Sequence, residues 1–84
     1  MKVRELREKL AKEDQDREVI LQLDAEGNSY SPLSSWWTGS YKTKSTWRGE
    51  AGVEGPLLPS DKEAGYSEED IVDGVPALIL VPVN

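Results

Sequence analysis

Apolar residues recur at helical spacing near the N-terminus and at strand spacing shortly after it. In residues 2–14, KVRELREKLAKED, the positions Val3, Leu6 and Leu10 fall on one stripe, which predicts an amphipathic helix. Residues 18–23, EVILQL, alternate in side-chain direction and predict a strand. The chain therefore opens with a helix followed by a strand.

The C-terminal pattern is a continuous apolar run. Residues 75–83, VPALILVPV, predict a strand buried on both faces, with Pro76 and Pro82 at its ends or on an open edge because proline has no amide hydrogen to donate. A chain of 84 residues has little material to cover both faces. Either the helix covers one face and the aromatic residues the other, or a second chain does. We therefore expect a homo-oligomer.

The residues between these strands carry turn and capping signals and no regular period. In residues 24–28, DAEGN, Gly27 or Asn28 is expected to take a positive φ. Residues 29–56 predict an irregular aromatic segment with short strands near 40–48, and residues 49–66 predict a loop.

Two capping patterns follow. Ser60 with Glu63 is expected to cap one helical turn. Ser67 with Asp70 predicts a better-capped helix that ends before Gly74. Together with the two strands, these patterns predict a single α+β domain over residues 1–84. In it, the N-terminal helix packs on a small, mainly antiparallel sheet with a long aromatic loop region, and residues 18–23 and 75–82 supply the core strands.

Composition narrows the function. The net charge is -6, and cysteine and histidine are absent, so we expect no disulfide, no metal, no cofactor and no activated nucleophile, hence no enzyme. The acidic balance argues against general nucleic-acid binding. Residue 2 is already charged, and the longest apolar run is too short to span a bilayer, so we expect a cytoplasmic protein that does not enter a membrane.

The charge is unevenly distributed. Residues 27–49 carry +3, while residues 50–84 carry -7. The positive segment contains SWWTGSYKTKSTWR, residues 35–48, which holds four aromatic rings and three cations. Such rings stack on bases or sugars, and lysine or arginine neutralises phosphate.

This segment predicts a site for a small anionic ligand such as a nucleotide. The aromatic members would stack, the three cations would meet phosphate groups, and Asn28 and Ser31 would donate hydrogen bonds, with the carboxylate of Glu50 lying beside the aromatics. The predicted ligand-binding residues are Asn28, Tyr30, Ser31, Trp36, Tyr41, Lys42, Lys44, Trp47, Arg48 and Glu50. The alternative is that, without phenylalanine, tryptophan and tyrosine fill the core and the cations form an ordinary wet face. Adjacent Trp36 and Trp37 cannot both enter one core from a strand.

Two acidic groups have ordinary explanations. The oxygens of Asp24, Glu26 and Asn28 are of the type that hard cations bind, but turn chemistry accounts for them. The carboxylates between residues 61 and 73 either imitate a DNA phosphate track or provide solubility and helix caps.

Three segments occur in order along the chain, namely DAEGNSYSPL, then G-x-Y with STWRGE, and then DGVPALILVPVN. Together they resemble a family of small accessory proteins of tailed phages and prophages, over residues 3–54 and 66–84. Lys42, Lys44 and the Trp36–Trp37 pair depart from the family's pattern. The positions that match it are Asp24, Glu26, Gly27, Asn28, Tyr30, Ser31, Pro32, Leu33, Gly39, Tyr41, Trp47, Gly49, Glu50, Pro76, Pro82 and Asn84.

The resemblance implies a phage accessory gene active in host takeover or counter-defence, in the host cytoplasm. Combined with the aromatic, cationic segment, it leads us to expect a non-enzymatic binder that sequesters a nucleotide signal. Two alternatives stay open. One is a protein-binding inhibitor of a host enzyme that acts through the acidic or the tryptophan-rich surface. The other is a structural, virion-associated subunit.

Overall fold

The protein has an α+β fold, as predicted, with an N-terminal helix and a mainly antiparallel four-stranded sheet. The computed structural model describes residues 1–83. β2 is the central strand: β1 and β3 pair with it antiparallel, and β4 pairs with it as well. No helix within residues 1–83 has the length and apolar character needed to cross a membrane. The elements are α1 (Val3–Ala11), β1 (Ile20–Gln22), β2 (Tyr30–Thr43), β3 (Gly49–Gly52), α2 (Pro59–Glu63), a 3₁₀ turn (Glu68–Asp70) and β4 (Val75–Pro82).

The chain forms two compact units. Unit 1 comprises Met1–Ser35 and Leu80–Asn84, and unit 2 comprises Trp36–Ile79. Both β2 and β4 contribute residues to each unit. Asn84, one of the positions that match the phage family, lies outside the described residues.

In unit 1, α1 is shorter than the predicted helix over residues 2–14. Beyond the last residue of α1, the side-chain amide of Gln15 donates to the carbonyls of Leu10 at 3.0 Å and of Glu13 at 2.7 Å. Val3 and Leu10 of the predicted apolar stripe are exposed, and Leu6 is half-buried. The stripe is therefore present in the sequence but little covered within the chain.

Unit 1 also contains the predicted strand and turn. In the register of β1 with β2, Ile20 lies opposite Pro32 and Gln22 lies opposite Tyr30. The turn over residues 24–28 has the predicted positive φ at Gly27, which is +77°. The carboxylate oxygen Oδ1 of Asp24 accepts hydrogen bonds from the amides of Glu26 at 2.9 Å and Asn28 at 3.2 Å. The turn chemistry predicted from DAEGN is confirmed.

In unit 2, a strand over residues 40–43 agrees with the expectation of short strands near 40–48, but the irregular segment expected before it and the loop expected from residue 49 were wrong. β2 continues to Thr43, and β3 returns beside it, with Ser40 opposite Gly52 and Thr43 opposite Gly49. The residues of this hairpin are mostly Gly, Ser, Thr and aromatics, which give no clean period. Pairing with β3 and with β4, which is remote in sequence, makes β2 regular, and local patterning cannot reveal that pairing.

The caps in unit 2 agree with the sequence in one of two cases. The amide of Ser67 donates to Asp70 Oδ2 at 2.7 Å, as the capping pattern predicted, although the element is a single 3₁₀ turn. At α2 the predicted pair of Ser60 with Glu63 was wrong. The carboxylate of Asp61 accepts from the amide of Leu58 at 2.9 Å instead, since the helix is capped at Leu58, two residues before Ser60, and begins at Pro59.

Burial differs most from expectation. No apolar side chain in residues 1–83 is buried, and Leu78 and Leu80 of β4 are 39% and 38% exposed. The prediction that β4 is buried on both faces was therefore wrong within a single chain. The buried side chains are those of Ser31 and Ser40.

These two serines have one role in common. In unit 1, Ser31 Oγ accepts a hydrogen bond from the amide of Val83 at 2.9 Å. In unit 2, Ser40 Oγ accepts one from the amide of Gly74 at 3.1 Å. Because residues 74 and 83 flank β4, a buried hydroxyl of β2 holds each end of that strand.

Candidate functional site

The connection between β2 and β3, residues 44–48, carries the most exposed tryptophan of the chain. We call it the β2–β3 turn. The amides of Lys44 and Ser45 both donate to the carbonyl of Arg48 at 3.0 Å, which closes the turn. The ring of Trp47 is 80% exposed, and the guanidinium carbon of Arg48 lies 5.5 Å from its centroid. This is the distance range of a cation–π contact.

A carboxylate lies among the predicted cations. Glu50 is opposite Lys42 in the strand register, and its Oε1 forms an ion pair with Lys44 Nζ. The hydrogen bond from Lys44, followed by the charges of Lys44 and Lys42, lowers the pKa of Glu50 below its ordinary value. Within residues 1–83, Lys42 and Arg48 form no ion pair. The charge of Lys44 is therefore compensated, while those of Lys42 and Arg48 are available.

Strand geometry separates some of the predicted partners. Tyr41 and Lys42 are successive residues of β2, so their side chains project from opposite faces. The ring of Tyr41 lies over Gly49, since a β-carbon placed there would be 2.6 Å from it. Tyr41 is half-buried in this position. One ligand cannot stack on Tyr41 and contact Lys42 from the same face.

The adjacent tryptophans also point apart. Trp36 is 65% exposed and Trp37 is 36% exposed, so the interpretation that tryptophans fill the core was wrong for residues 1–83. The ring of Trp37 lies beside Gly39, at 2.6 Å from the position of a β-carbon there. Trp36 projects from the opposite face of the strand and is the freer of the two.

The remaining predicted ligand residues belong to unit 1. Tyr30 is 60% exposed. The backbone amide of Asn28 donates a hydrogen bond to Asp24 Oδ1. Ser31 is buried, and its hydroxyl donates to the carbonyl of Pro32 at 3.0 Å while accepting from Val83. The predicted hydrogen bond from Ser31 to a ligand therefore lacks an accessible hydroxyl. The seven other predicted residues lie in unit 2.

The carboxylates show the bonds expected of turns and caps. Asp24, Asp61 and Asp70 each accept backbone hydrogen bonds. Among the described residues, no group of three acidic side chains is arranged to hold a metal ion. The backbone hydrogen bond from Asn28 is the largest influence on the pKa of Asp24. Together with the bonds from Glu26 and Gly27 it outweighs the opposing desolvation, so that the pKa is lowered.

Two features of the site were missed from the sequence. The ion pair of Lys44 with Glu50 forms because residues 40–43 and 49–52 pair as a hairpin, and no pattern in the sequence indicates that hairpin. The burial of Ser31 and Ser40 had no local signal, because the neighbouring sequence is rich in exposed serine and threonine.

Comparison with protein-family models, curated proteins and solved structures finds no match to the chain.

Proposed function

We propose that the protein is a non-enzymatic binding protein whose β2–β3 turn holds a small anionic ligand with a planar ring, such as a nucleotide. The observation that carries the proposal is Trp47, which is 80% exposed while Arg48 lies 5.5 Å from its ring centroid. A ring that is held by a cation on one side offers its other face to a base. Arg48 then serves both the stack and the anionic group.

The surrounding charge favours an anion. Residues 27–49 carry +3 in a chain whose net charge is -6. Lys42 is exposed and opposite Glu50, whose carboxylate forms its ion pair with Lys44. The ligand is therefore small, because a long phosphate track would meet the acidic remainder of the chain.

Calorimetric titration with linear and cyclic mononucleotides at low ionic strength tests this site. We expect saturable binding of at least one nucleotide class, weakened by Trp47→Ala and by Arg48→Gln. The matched control is Trp36→Ala, which removes another exposed tryptophan outside the turn. An absence of heat up to millimolar ligand, or equal losses in all three variants, would remove the support for this site.

The biological setting follows from the phage-like segments at residues 24–33, 45–50 and 73–84. In this proposal the protein is a phage accessory protein that sequesters a nucleotide signal of the host in the host cytoplasm. Mass spectrometry of nucleotides extracted from protein purified out of phage-infected bacteria tests it. A nucleotide retained by the unmodified chain and lost from Trp47→Ala supports the proposal, and identical extracts from both oppose it.

A second candidate function rests on Trp36. A tryptophan that is 65% exposed on a strand is a frequent hot spot of protein interfaces. In this alternative the chain inhibits a host enzyme by binding it through Trp36, with the acidic residues 61–73 as a further surface. Stoichiometric capture of one host protein that Trp36→Ala abolishes and Trp47→Ala preserves would favour this function. A large fixed assembly without ligand would instead indicate the virion-associated subunit.

A further inference from the structure

β4 has one edge without a strand partner. It pairs with β2, and no other strand within residues 1–83 pairs with it. The backbone of residues 75–82 makes no further hydrogen bond to the described chain outside this pairing. A free apolar strand edge is a template for another strand.

The two prolines of β4 face that free edge. The amide of Val83 donates to the carbonyl of Pro32 in β2 at 3.0 Å. Amide groups alternate between the two edges of a regular strand, so this bond places the odd-numbered amides of β4 towards β2. Gly74 precedes β4 and donates to the side chain of Ser40, so it lies outside this alternation. Pro76 and Pro82 are even-numbered, so their nitrogen atoms face the free edge, where they have no hydrogen to donate. The free edge therefore still offers the amides of Leu78 and Leu80.

The sequence of this strand is nearly a palindrome. Residues 75–83 read VPALILVPV forwards and VPVLILAPV backwards, so the two readings differ only where Ala77 and Val81 exchange places. Ile79 is at the centre, and the prolines lie at equal distances on either side. An antiparallel pair of identical strands places each residue opposite its mirror position, which is the condition for a two-fold symmetric interface.

We propose that a second copy of this chain pairs with the free edge of β4, antiparallel, with the two-fold axis at Ile79. In this register Leu78 lies opposite Leu80 of the second copy, and the two residues exchange both of their backbone hydrogen bonds. Pro76 lies opposite Pro82 of the second copy, so no amide hydrogen faces an empty position. The palindrome and the placement of the prolines both favour the same register.

The apolar surface of the chain supports the same occupant. Large apolar side chains of this strand are exposed in the single chain, at 62% for Val75, 39% for Leu78 and 38% for Leu80. Residues 75–83 carry no charge, so two copies meet there without repulsion despite the net charge of -6. Leu78 and Leu80, exposed in the single chain, cover one another in the pair.

Disulfide cross-linking tests the register, since the chain contains no cysteine. Ile79→Cys places one thiol on each side of the axis, in a pair without backbone hydrogen bonds whose α-carbons lie about 4.5 Å apart. This separation suits a disulfide. The control is Ala77→Cys, because two such thiols would lie roughly 13 Å apart along the strands. We expect a cross-linked dimer from the single variant Ile79→Cys and from the double variant with Ala77→Cys and Val81→Cys. We expect none from the single variant Ala77→Cys.

Sedimentation equilibrium tests the interface by a separate measurement. We expect the unmodified chain to be a dimer at micromolar concentration, Leu80→Lys to be monomeric, and Leu58→Lys, which changes an exposed leucine outside β4, to remain dimeric. Circular dichroism verifies that each variant is folded. The proposal is overturned by a monomeric unmodified chain, by cross-linking as fast at residue 77 as at residue 79, or by a folded Leu80→Lys dimer.

Discussion

The turn over residues 24–28 and the β2–β3 turn both connect antiparallel strands, but their side chains have opposite roles. In the first, the carboxylate of Asp24 bonds two backbone amides, and Gly27 has a φ of +77°. In the second, the carbonyl of Arg48 accepts two backbone amides and the hydroxyl of Ser45 accepts the amide of Trp47 at 3.4 Å, while the ring of Trp47 remains 80% exposed. A turn held by its side chains contributes stability, whereas a turn held by its backbone leaves its side chains free for a ligand.

The largest expected effect lies in the β2–β3 turn. Replacing Trp47→Ala removes the proposed stacking surface, and we expect nucleotide affinity to fall roughly 5- to 150-fold. The midpoint of urea unfolding should stay unchanged, because the ring is 80% exposed. Titration calorimetry and urea denaturation measure the two quantities. A large shift in the unfolding midpoint would show that the turn is structural after all.

The next effect lies in the first turn. Gly27→Ala places a side chain at a φ of +77° and a β-carbon 2.9 Å from the hydroxyl of Tyr30. We expect the free energy of unfolding to fall by about 1–2 kcal/mol, with no change in nucleotide affinity. The control is Thr46→Ala in the β2–β3 turn, which should shift stability by less than about 0.5 kcal/mol. Equal losses in both variants would contradict the contrast between the turns.

A smaller effect concerns the ion pair beside the β2–β3 turn. Glu50→Gln removes the carboxylate charge that compensates Lys44, so we expect nucleotides to bind about 2- to 5-fold more tightly at low ionic strength. The gain should disappear in high salt, which screens exposed charges. Glu54→Gln, which also removes one negative charge but no ion pair, is the control. Weaker binding by Glu50→Gln would mean that Glu50 contacts the ligand directly.

The smallest effect is a dependence of stability on pH in the first turn. Its backbone hydrogen bonds, that from Asn28 first, lower the pKa of Asp24 in the folded chain. The contribution of Asp24 is therefore complete above the ordinary value of about 3.9 and is lost as the pH falls through the lowered value. The urea midpoint measured between neutral pH and pH 3 should fall more steeply for the unmodified chain than for Asp24→Asn. Parallel curves would contradict this role.

Local chemistry explains which elements were predictable. The turn at residues 24–28, the cap of Ser67 by Asp70 and the existence of β4 follow from contacts between residues close in sequence or from a dense apolar run. The length of β2 was missed because its segment lacks alternation and is made regular by distant partners. Within the predicted site, Trp47 and Arg48 are adjacent in sequence, so their contact was predictable. Tyr41 and Lys42 project from opposite faces because they lie in a strand, and this was not predictable without knowing the strand.

Four features follow from local sequence without the fold: the helix–strand opening, the glycine turn, the apolar C-terminal strand, and the concentration of rings and cations in one acidic chain. The tertiary structure alone decided that Glu50 neutralises Lys44, that Ser31 is withdrawn from any ligand, and that β4 stays half covered. For Ser31 and β4 the reason is the sequence distance over which the interactions act, whereas Glu50 lies beside Lys44 because of the hairpin register. The bonds from Val83 to Ser31 and from Gly74 to Ser40 span 52 and 34 residues, and such distant pairing leaves no periodic trace in either segment.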